Sequence, residues 1–282
     1  MSHLECCVET CVGLVCNIIA ICLFTSPLRT FWDIVKKKDV QEYSGIPYVC
    51  TLLNCMLWVV YGMPDVQLQV LVVTINAAGC MIETGYLLTY LIFAPKRLRM
   101  KVLKVLAIVV VGFVFVVVLI LELVHDKTRR KLIIGTLCAV FAVGMYASPL
   151  TIMRMVIRTH SVEFMPFLLS LFNFLNGLVW FGYAFVGGLD IFIAIPNGIG
   201  ALLGLAQLAL YAFYKNATPV RMEGAGKADE SKLGTGMEAI SIDLARDHHH
   251  HHHGETCTAT PIKQSGPLLP TTTLPHHTHG SH

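Results

Sequence analysis

Charged side chains are scarce in this sequence. Asp, Glu, Lys and Arg make up 14% of its 282 residues, against about 25% in an average soluble domain, and 55% of the residues are hydrophobic. The formal net charge is only +3, and Lys and Arg fall in short clusters between apolar runs. This composition excludes an ordinary soluble domain and gives no basis for a nucleic-acid partner. It predicts a protein embedded in a lipid bilayer.

The sequence also lacks the signatures of catalysis and of bound cofactors. It contains no glycine-rich nucleotide loop, and the two histidines of the apolar region, His125 and His160, have no Ser, Cys or Asp partner at motif spacing. We therefore expect that the protein is not an enzyme and that it holds no metal or other cofactor. Six cysteines of the apolar stretches show no metal-ligand spacing and are predicted to be packing residues: Cys16, Cys22, Cys50, Cys55, Cys80 and Cys138.

The two ends of the chain differ from its centre. The first ten residues contain no Lys or Arg, so a cleavable signal peptide is not indicated and the first apolar segment is expected to remain as a helix. An extracellular disulfide among Cys6, Cys7 and Cys11 is an alternative to free thiols. Residues 215–282 are rich in Gly, Thr, Pro and His without periodicity, which predicts a disordered cytosolic tail. Its run 248–253 of histidines fits an affinity tag or a low-complexity tract better than a metal site.

Seven apolar stretches are long enough to cross a bilayer as helices. A helix rises about 1.5 Å per residue, so about 20 apolar residues span the hydrocarbon layer. We predict an all-α membrane protein with seven transmembrane helices near residues 10–28, 46–63, 68–93, 103–124, 132–154, 166–187 and 190–214. An odd number of crossings puts the two ends of the chain on opposite sides of the membrane.

The basic residues of the short loops predict the direction of insertion. One set of alternate loops contains eleven Lys and Arg residues, whereas the opposite set contains four, which are Lys127, Arg129, Arg130 and Lys131. Because cytosolic loops carry the excess of positive charge, the N-terminus is predicted to be extracellular and the C-terminus cytosolic. The sequon at residues 216–218 would then stay unglycosylated.

A sequence pattern recurs in the second half of the chain. The segment 13–28 reappears 122 residues later as the segment 135–150, with Gly, Cys, Ser, Pro and Leu in register. Two further pairs match, Trp58 with Trp180 at the same spacing and Asn76 with Asn197 at a spacing of 121. The spacing indicates an internal repeat with an additional helix between the copies.

We therefore predict two three-helix bundles joined by a linker helix. Residues 1–96 form the first repeat, 97–131 the linker helix and 132–214 the second repeat. Because one extra crossing separates the copies, both repeats run in the same direction and are related by an axis along the membrane normal. Such halves suit a carrier that rocks between two faces, with its site near the midplane between them.

These residues resemble the plant SWEET sugar facilitators of the PQ-loop superfamily, from about residue 12 to residue 214. The resemblance is carried by YSGIPY at 43–48, by Asn54 with WVVYG at 58–62, by SVEFMPF at 161–167 and by AIPNGIG at 194–200. The glutamine that names the superfamily is absent, since Ser-Pro-Leu stands in its place in both repeats, as is usual for SWEET-like chains. The resemblance implies a 3+1+3 bundle that moves sugars in both directions.

Asn76 and Asn197 are the first candidates for substrate contacts. A primary amide in an apolar helix must face the protein interior or a wet cavity, since burying it without hydrogen bonds is costly. Two amides at equivalent repeat positions meet at the axis between the halves, where they can bind a polyol, and the family's central substrate contacts match them. Interhelical hydrogen bonding is the alternative.

Trp58 and Trp180 are predicted to line the same site on its extracellular side. Asn54 and Asn176 precede them by one helical turn on the same face. An indole ring packs well against the C–H face of a pyranose, and the resemblance implies this role. A membrane-interface aromatic belt is the alternative, although a Tyr follows each Trp by three residues and would itself suit that belt.

Leu23 and Met145 stand where the family's pocket varies with the size of the sugar. Two long side chains leave less room than two valines would, which favours a monosaccharide over sucrose; ordinary core packing is the alternative. The local sequence is most similar to the hexose-transporting plasma-membrane branch, so we expect the plasma membrane rather than the vacuolar membrane.

The resemblance also implies two gates. Tyr61 and Asp190, at extracellular helix ends, correspond to an outer gate made by a hydroxyl–carboxylate hydrogen bond. Four prolines near the cytosolic ends of helices correspond to an inner hinge and gate, since each lacks an N–H and gives a place to bend: Pro27, Pro47, Pro149 and Pro166.

The leading hypothesis is therefore a sugar uniporter that uses alternating access, with a hexose and the lipid bilayer as its partners. Glu83 lies seven residues after Asn76 within the third crossing, and its repeat partner is Gly204. We interpret Glu83 as a protonated or hydrogen-bonded structural residue. A proton-coupled exporter of small solutes that uses Glu83 is the alternative, and a seven-helix receptor is a third hypothesis. The preferred sugar and homo-oligomerisation are left open.

Overall fold

A computed structural model describes residues 3–186 and 188–216, with side chains from residue 13 onward. The thiols of Cys6, Cys7 and Cys11 and the predicted tail from residue 217 lie outside the described residues. The described part forms nine α-helices and no β-strand: α1 (His3–Phe24), α2 (Leu28–Lys37), α3 (Ile46–Tyr61), α4 (Val70–Phe93), α5 (Lys96–Leu123), α6 (Lys127–Met145), α7 (Ala147–Thr159), α8 (Phe167–Tyr183) and α9 (Ile191–Tyr214).

These helices make seven crossings, because α1 with α2 and α6 with α7 each form one interrupted crossing. Five segments are long and apolar enough to span a bilayer: Gly13–Lys37, Val70–Phe93, Lys96–Leu123, Lys127–Thr159 and Ile191–Tyr214. The other two crossings are the shorter apolar helices α3 and α8, of 16 and 17 residues, which rise about 25 Å. The predicted all-α fold with seven membrane helices is confirmed.

The helix after the linker begins earlier than its apolar pattern indicates. Asp126 is the N-cap of α6, where its side chain accepts a hydrogen bond from the backbone N of Arg129 at 3.0 Å. Arg130 donates to the carbonyls of Leu121, at 2.6 Å, and Val124 at the end of α5. The predicted boundary at residues 131 and 132 therefore falls inside α6, because the charged first turn of a helix does not register in an apolar window.

Each half is a bundle of the same construction. In the first half α4 packs against α1, α2 and α3, and in the second half α9 packs against α6, α7 and α8. The halves meet through two equivalent pairs, α1 with α8 and α3 with α6. The linker helix α5 packs against α3 and α4 of the first half. This arrangement confirms the predicted 3+1+3 architecture.

The first crossing of each half is interrupted at an equivalent place. Pro27 precedes α2, and Pro149 is the third residue of α7; both lie in a first turn, where a missing N–H costs little. Lys38 and His160, 122 residues apart, end these helices in the left-handed region with φ of 55° and 53°. A left-handed non-glycine residue at the same position in both copies indicates that the repeat extends to local backbone geometry.

The largest core cluster contains side chains of both halves. This joint cluster comprises Cys16, Ala20, Leu57, Trp58, Tyr61, Val66, Val72, Ile75, Ile134, Cys138, Trp180, Tyr183, Ala184, Ile193 and Ala194. It includes the ends of α3 and α8 and the starts of α4 and α9, which we call the Asp190 end of the molecule. A second cluster, which contains Phe31, Tyr43, Leu52, Tyr90 and Val102, belongs to the first half and the linker at the opposite end. The described core therefore joins the halves at the Asp190 end.

Candidate functional site

Four asparagines lie at one depth along their helices. Asn54 and Asn176 each precede the end of their helix by seven residues, and Asn76 and Asn197 each follow the start of theirs by six. At about 1.5 Å per residue, all four lie about 10 Å from the Asp190 end. The repeat thus places two amides of each half in one layer of the bundle.

The amides of Asn76 and Asn197 have the same partner in each half. Each Nδ2 donates to the carbonyl four residues earlier in its own helix, to Val72 at 2.9 Å and to Ile193 at 2.8 Å. Both side chains are half-buried. The bond to the backbone reduces the cost of placing an amide within an apolar helix. The amide oxygen and the second N–H remain without a partner within the described structure.

Asn54 and Asn176 contribute two buried acceptors that have no donor. The Oδ1 atom of each is enclosed by protein and makes no hydrogen bond among the described residues. A buried amide oxygen without a partner costs about 1–3 kcal/mol, so a hydroxyl donor arriving at this layer would be favoured. The orphaned acceptor occurs in both copies of the repeat, which makes a local packing defect a poor explanation.

Trp58 and Trp180 lie between the asparagine layer and the Asp190 end. Each is 8% exposed and belongs to the joint cluster. Each makes an edge contact with the tyrosine three residues later: Trp58 with Tyr61 at a centroid distance of 5.5 Å and 85°, and Trp180 with Tyr183 at 5.3 Å and 76°. The two indoles therefore lie on the side of the layer toward Asp190.

Leu23 and Met145 lie at the other side of the layer, at the interruptions of the first and fifth crossings, and both are half-buried. Beside Met145, Tyr146 donates its hydroxyl to the carbonyl of Pro196 at 2.7 Å, one residue before Asn197. The sequence analysis missed this tie between α6 and α9. A comparison of the two repeats could have revealed it, because the position equivalent to Tyr146 in the first half is Phe24, which has no hydroxyl.

Asp190 is both a helix cap and a contact between the halves. Its Oδ1 accepts from the backbone N of Phe192 at 3.1 Å and of Ile193 at 3.4 Å, which caps α9. The hydroxyl of Tyr61, at the end of α3, donates to the two carboxylate oxygens at 2.8 and 2.7 Å. The structure thus brings together the two residues that the sequence analysis placed at an outer gate.

Three further residues, which the sequence analysis missed, surround Oδ2 of Asp190. Gln67 and Gln69, in the loop between α3 and α4, donate their Nε2 atoms to it at 2.8 and 3.2 Å. The Nζ atom of Lys131, in α6, lies 3.4 Å from the same oxygen. Gln69 could have been found from the sequence, because it precedes Asp190 by 121 residues, the spacing that also relates Asn76 to Asn197.

These partners keep Asp190 ionised despite its burial. Burial alone would raise the pKa of the carboxyl, but hydrogen bonds from Tyr61 and Gln67 and the charge of Lys131 outweigh it and hold the pKa below its ordinary value. A buried carboxylate with several donors is a strong electrostatic contact. The halves therefore meet at a charged group and not only through apolar packing.

The four prolines all stand near the starts of helices. Pro27 and Pro149 lie beside the interruptions already described, Pro47 is within the first two residues of α3, and Pro166 is the N-cap of α8. Pro47 and Pro166 therefore interrupt no helical hydrogen bonds. Only the interruptions at Pro27 and Pro149 break a crossing into two helices.

Glu83 lies in the first half without a counterpart. It is 3% exposed, and its Oε2 makes no hydrogen bond within the described structure. Its repeat partner is Gly204, where a Cβ would lie 2.7 Å from the backbone Cα of Phe174. The second half therefore has no room for a side chain at this position.

A groove between α3, α5 and α6 is separate from the asparagine layer. Its volume is about 380 Å³, and its lining is entirely apolar, with Leu57, Phe113, Val116 and Phe141 among the side chains. A groove of this composition offers no hydrogen bond to a polar solute.

The comparisons agree with the geometry. The chain matches the family described as "Sugar efflux transporter for intercellular exchange" over residues 10–98 and 132–219, which correspond to the two repeats. It is 50% identical over 217 residues to "Bidirectional sugar transporter SWEET7b" of Oryza sativa subsp. indica, covering 77% of this chain and 81% of that protein. It is 48% identical over 215 residues to "Bidirectional sugar transporter SWEET7" of Arabidopsis thaliana, covering 75% and 83%.

A solved structure has the same fold. The chain superposes on that of a eukaryotic SWEET transporter with a TM-score of 0.72 and 39% identity, covering 76% of this chain and 99% of the other. The same 3+1+3 arrangement therefore underlies both.

Proposed function

The chain belongs to the SWEET family of bidirectional sugar transporters, and we propose that it carries a hexose through the asparagine layer between its halves. The sugar moves down its gradient, because the sequence provides no nucleotide loop and no pair of membrane carboxylates to supply energy. The predictions that the protein is a sugar transporter and not an enzyme are confirmed by this membership.

One observation supports the site most strongly. Asn54 and Asn176 present buried carbonyl oxygens without donors, and Asn76 and Asn197 present unpaired amide atoms at the same depth. A hexose has several hydroxyl groups, each able to donate and to accept a hydrogen bond. Its binding would satisfy these atoms in both halves at once, and its C–H face would pack against Trp58 or Trp180. Half-buried Leu23 and Met145 would limit the length of the sugar and disfavour sucrose.

Alternating access follows from the two equivalent contacts between the halves. The joint cluster and the Tyr61–Asp190 contact close the site toward the Asp190 end. Rocking one half against the other would separate these residues and open the site to that side. The interruptions near Pro27 and Pro149 would absorb the change at the other end, where Pro47 and Pro166 would take part only in closing the inner gate.

The loop charges support an orientation and a location. The positive-inside pattern puts the Asp190 end outside and the chain's C-terminus in the cytosol. We propose the plasma membrane on the similarity to the hexose-transporting branch.

The site is tested by counterflow of radiolabelled glucose in a host that lacks its own hexose carriers. We expect that Asn76→Ala and Asn197→Ala each abolish counterflow without loss of surface protein. The matched control is Asn17→Ala, which also removes a half-buried amide but is not one of the four asparagines: its Nδ2 donates to Thr74 at 3.3 Å, and its Oδ1 is buried without a partner in the described structure. Flux within twofold of the parent for both site variants would refute the site. Galactose, fructose and sucrose in the same assay decide the sugar class.

A second candidate, a proton-coupled exporter, is favoured by one observation, the buried and partly unsatisfied carboxyl of Glu83. Collapse of the membrane proton gradient separates the two functions. Counterflow of a uniporter persists without the gradient, whereas its loss would support the exporter.

A further inference from the structure

The donors around Asp190 belong to different halves. The capping N–H groups of α9 and the ammonium of Lys131 belong to the second half, as Asp190 does, so these contacts persist when the halves separate. Tyr61, Gln67 and Gln69 belong to the first half, so their hydrogen bonds to Asp190 must all break. We infer that Gln67 and Gln69 are outer-gate residues, which act with Tyr61 to set how often the site opens toward the Asp190 end. This inference rests on the proposed carrier function.

The loop that carries the two glutamines is ordered by its own backbone. The N–H of Gln67 donates to the carbonyl of Met63 at 2.9 Å, and the N–H of Gln69 donates to that of Gly62 at 3.0 Å. Val66 is buried in the joint cluster and anchors the loop. These bonds fix the loop to the first half, where it presents both amides to Asp190. Lys127 and Arg130 of α6 also donate to the loop carbonyls of Pro64 and Asp65, at 3.2 and 3.5 Å, so these contacts between the halves must break as well.

The side chain between the glutamines points elsewhere. Leu68 is 66% exposed, whereas Gln67 and Gln69 are half-buried beside Asp190. Replacement of Leu68 thus changes the same loop without touching the carboxylate, which makes it a matched control.

The side chain of Gln69 makes its hydrogen bond only through Nε2, which donates to Asp190. Its Oε1 is buried without a hydrogen-bond partner in the described structure, so the residue bears a desolvation cost where it stands. A hydrogen bond to a carboxylate is about twice as strong as one between neutral groups, which explains how this position is tolerated. A residue chosen only for loop stability would not need to bury an unpaired oxygen.

Cys138 provides a natural reporter of this gate. It is fully buried in the joint cluster with Tyr61, so it is shielded while the gate is closed. A membrane-impermeant methanethiosulfonate reagent, applied from outside to cells that express the full chain, would modify it only when the halves separate. Each gate variant is also measured with Cys138→Ala, which gives its signal from the other thiols, including the equally buried Cys16 of the joint cluster, and that signal is subtracted.

We expect Gln67→Ala and Gln69→Ala each to raise the rate of Cys138 modification by about three- to tenfold, and the double variant to raise it by more than tenfold. Leu68→Ala should keep the parental rate. A double variant that is modified at the rate of Leu68→Ala would overturn the inference. Because the assay contains no sugar, its result is independent of whether hexose is the substrate.

A charge substitution distinguishes gating from loop folding. Gln67→Glu places a second carboxylate beside Asp190, which opens the gate at pH 7.5, whereas protonation near pH 5 restores a donor. We expect modification of this variant, relative to the parent at the same pH, to fall at least fivefold between these two values. Gln67→Lys keeps a donor and adds an attractive charge, so its rate should not exceed the parental one. Rates for Gln67→Glu that are independent of pH, at normal surface expression, would contradict the inference.

Discussion

The helix pair α8–α9 packs backbone against backbone, whereas the equivalent pair α3–α4 is separated by side chains. In the second half, a Cβ at Gly177 would lie 2.6 Å from the backbone N of Ala201, and Gly204 is as close to Phe174. The positions of the first half that correspond to Gly177, Ala201 and Gly204 hold Cys55, Cys80 and Glu83. One ancestral bundle has therefore been packed in two ways.

The two halves agree at the site and differ in what supports it. The asparagines and tryptophans make matching contacts in both copies, as a substrate between two halves requires. Three features occur only in the second half: the close backbone packing of its helices, the gate carboxylate of Asp190 and the hydroxyl of Tyr146. Close backbone contact leaves α8 and α9 little freedom to shift, so we expect the second half to move as a stiffer body than the first.

The largest expected effect comes from breaking the close contact. Gly177→Ala puts a Cβ against the backbone of α9, where nothing flexible can yield, and should lower the free energy of unfolding by about 2 kcal/mol or more. Gly182→Ala, in the same helix, is the control, because a Cβ there meets nothing within 4 Å. Thermal unfolding of the detergent-solubilised protein measures both. Equal melting temperatures for the two variants would show that α8 and α9 do not pack backbone against backbone at Gly177.

A smaller effect tests the tie beside Asn197. Tyr146→Phe makes the position identical to Phe24 and removes the bond to Pro196, which is worth about 1 kcal/mol. Because that carbonyl precedes Asn197, we expect the KM for sugar counterflow to rise about threefold. Tyr90→Phe removes a comparable 3.0 Å bond to the carbonyl of Tyr43, in the second cluster of the first half, and should leave the KM unchanged. A KM that changes equally in both variants would assign the effect to general loosening.

Most of the fold could be predicted from the sequence. The lengths of the apolar stretches indicate the number of membrane crossings, the loop charges their direction, and the repeat their grouping into two bundles. The interruptions between α1 and α2 and between α6 and α7 were less visible, since the apolar pattern runs through them. The start of α6 was missed because Lys127 to Lys131 are charged and helical at once. An apolar window does not detect a helix whose first turn lies outside the hydrocarbon.

The site was predictable only where the repeat marks it. Asn76 and Asn197 stand out as amides in apolar helices, and the structure places them at equal depth. Gln67, Gln69 and Lys131 do not stand out, because polar residues are ordinary in loops. Their contact with Asp190 depends on how the halves dock, which no local pattern encodes. The repeat spacing, applied to Asp190, would have identified Gln69.

The smallest expected effect concerns pH at the gate. The pKa of Asp190 is held below its ordinary value of about 3.9 by contacts that exist when the gate is closed. Ionised Asp190 therefore stabilises the closed gate at every pH above that value, and the stabilisation is lost only as the pH falls through the lowered pKa. The Tyr61 hydroxyl and the Nζ atom of Lys131 face the Asp190 carboxylate at the gate.

Counterflow at equal pH on both sides should accordingly vary less than twofold over that range. The same measurement on Glu83→Gln separates the gate from the buried acid of the first half. If the parent varies more and the variant does not, Glu83 titrates during transport and the first half contributes a proton site. If the counterflow rates of the parent and of Glu83→Gln change with pH to the same extent, Glu83 is not the cause. The inference that Asp190 stays ionised at the gate over this range would then be wrong.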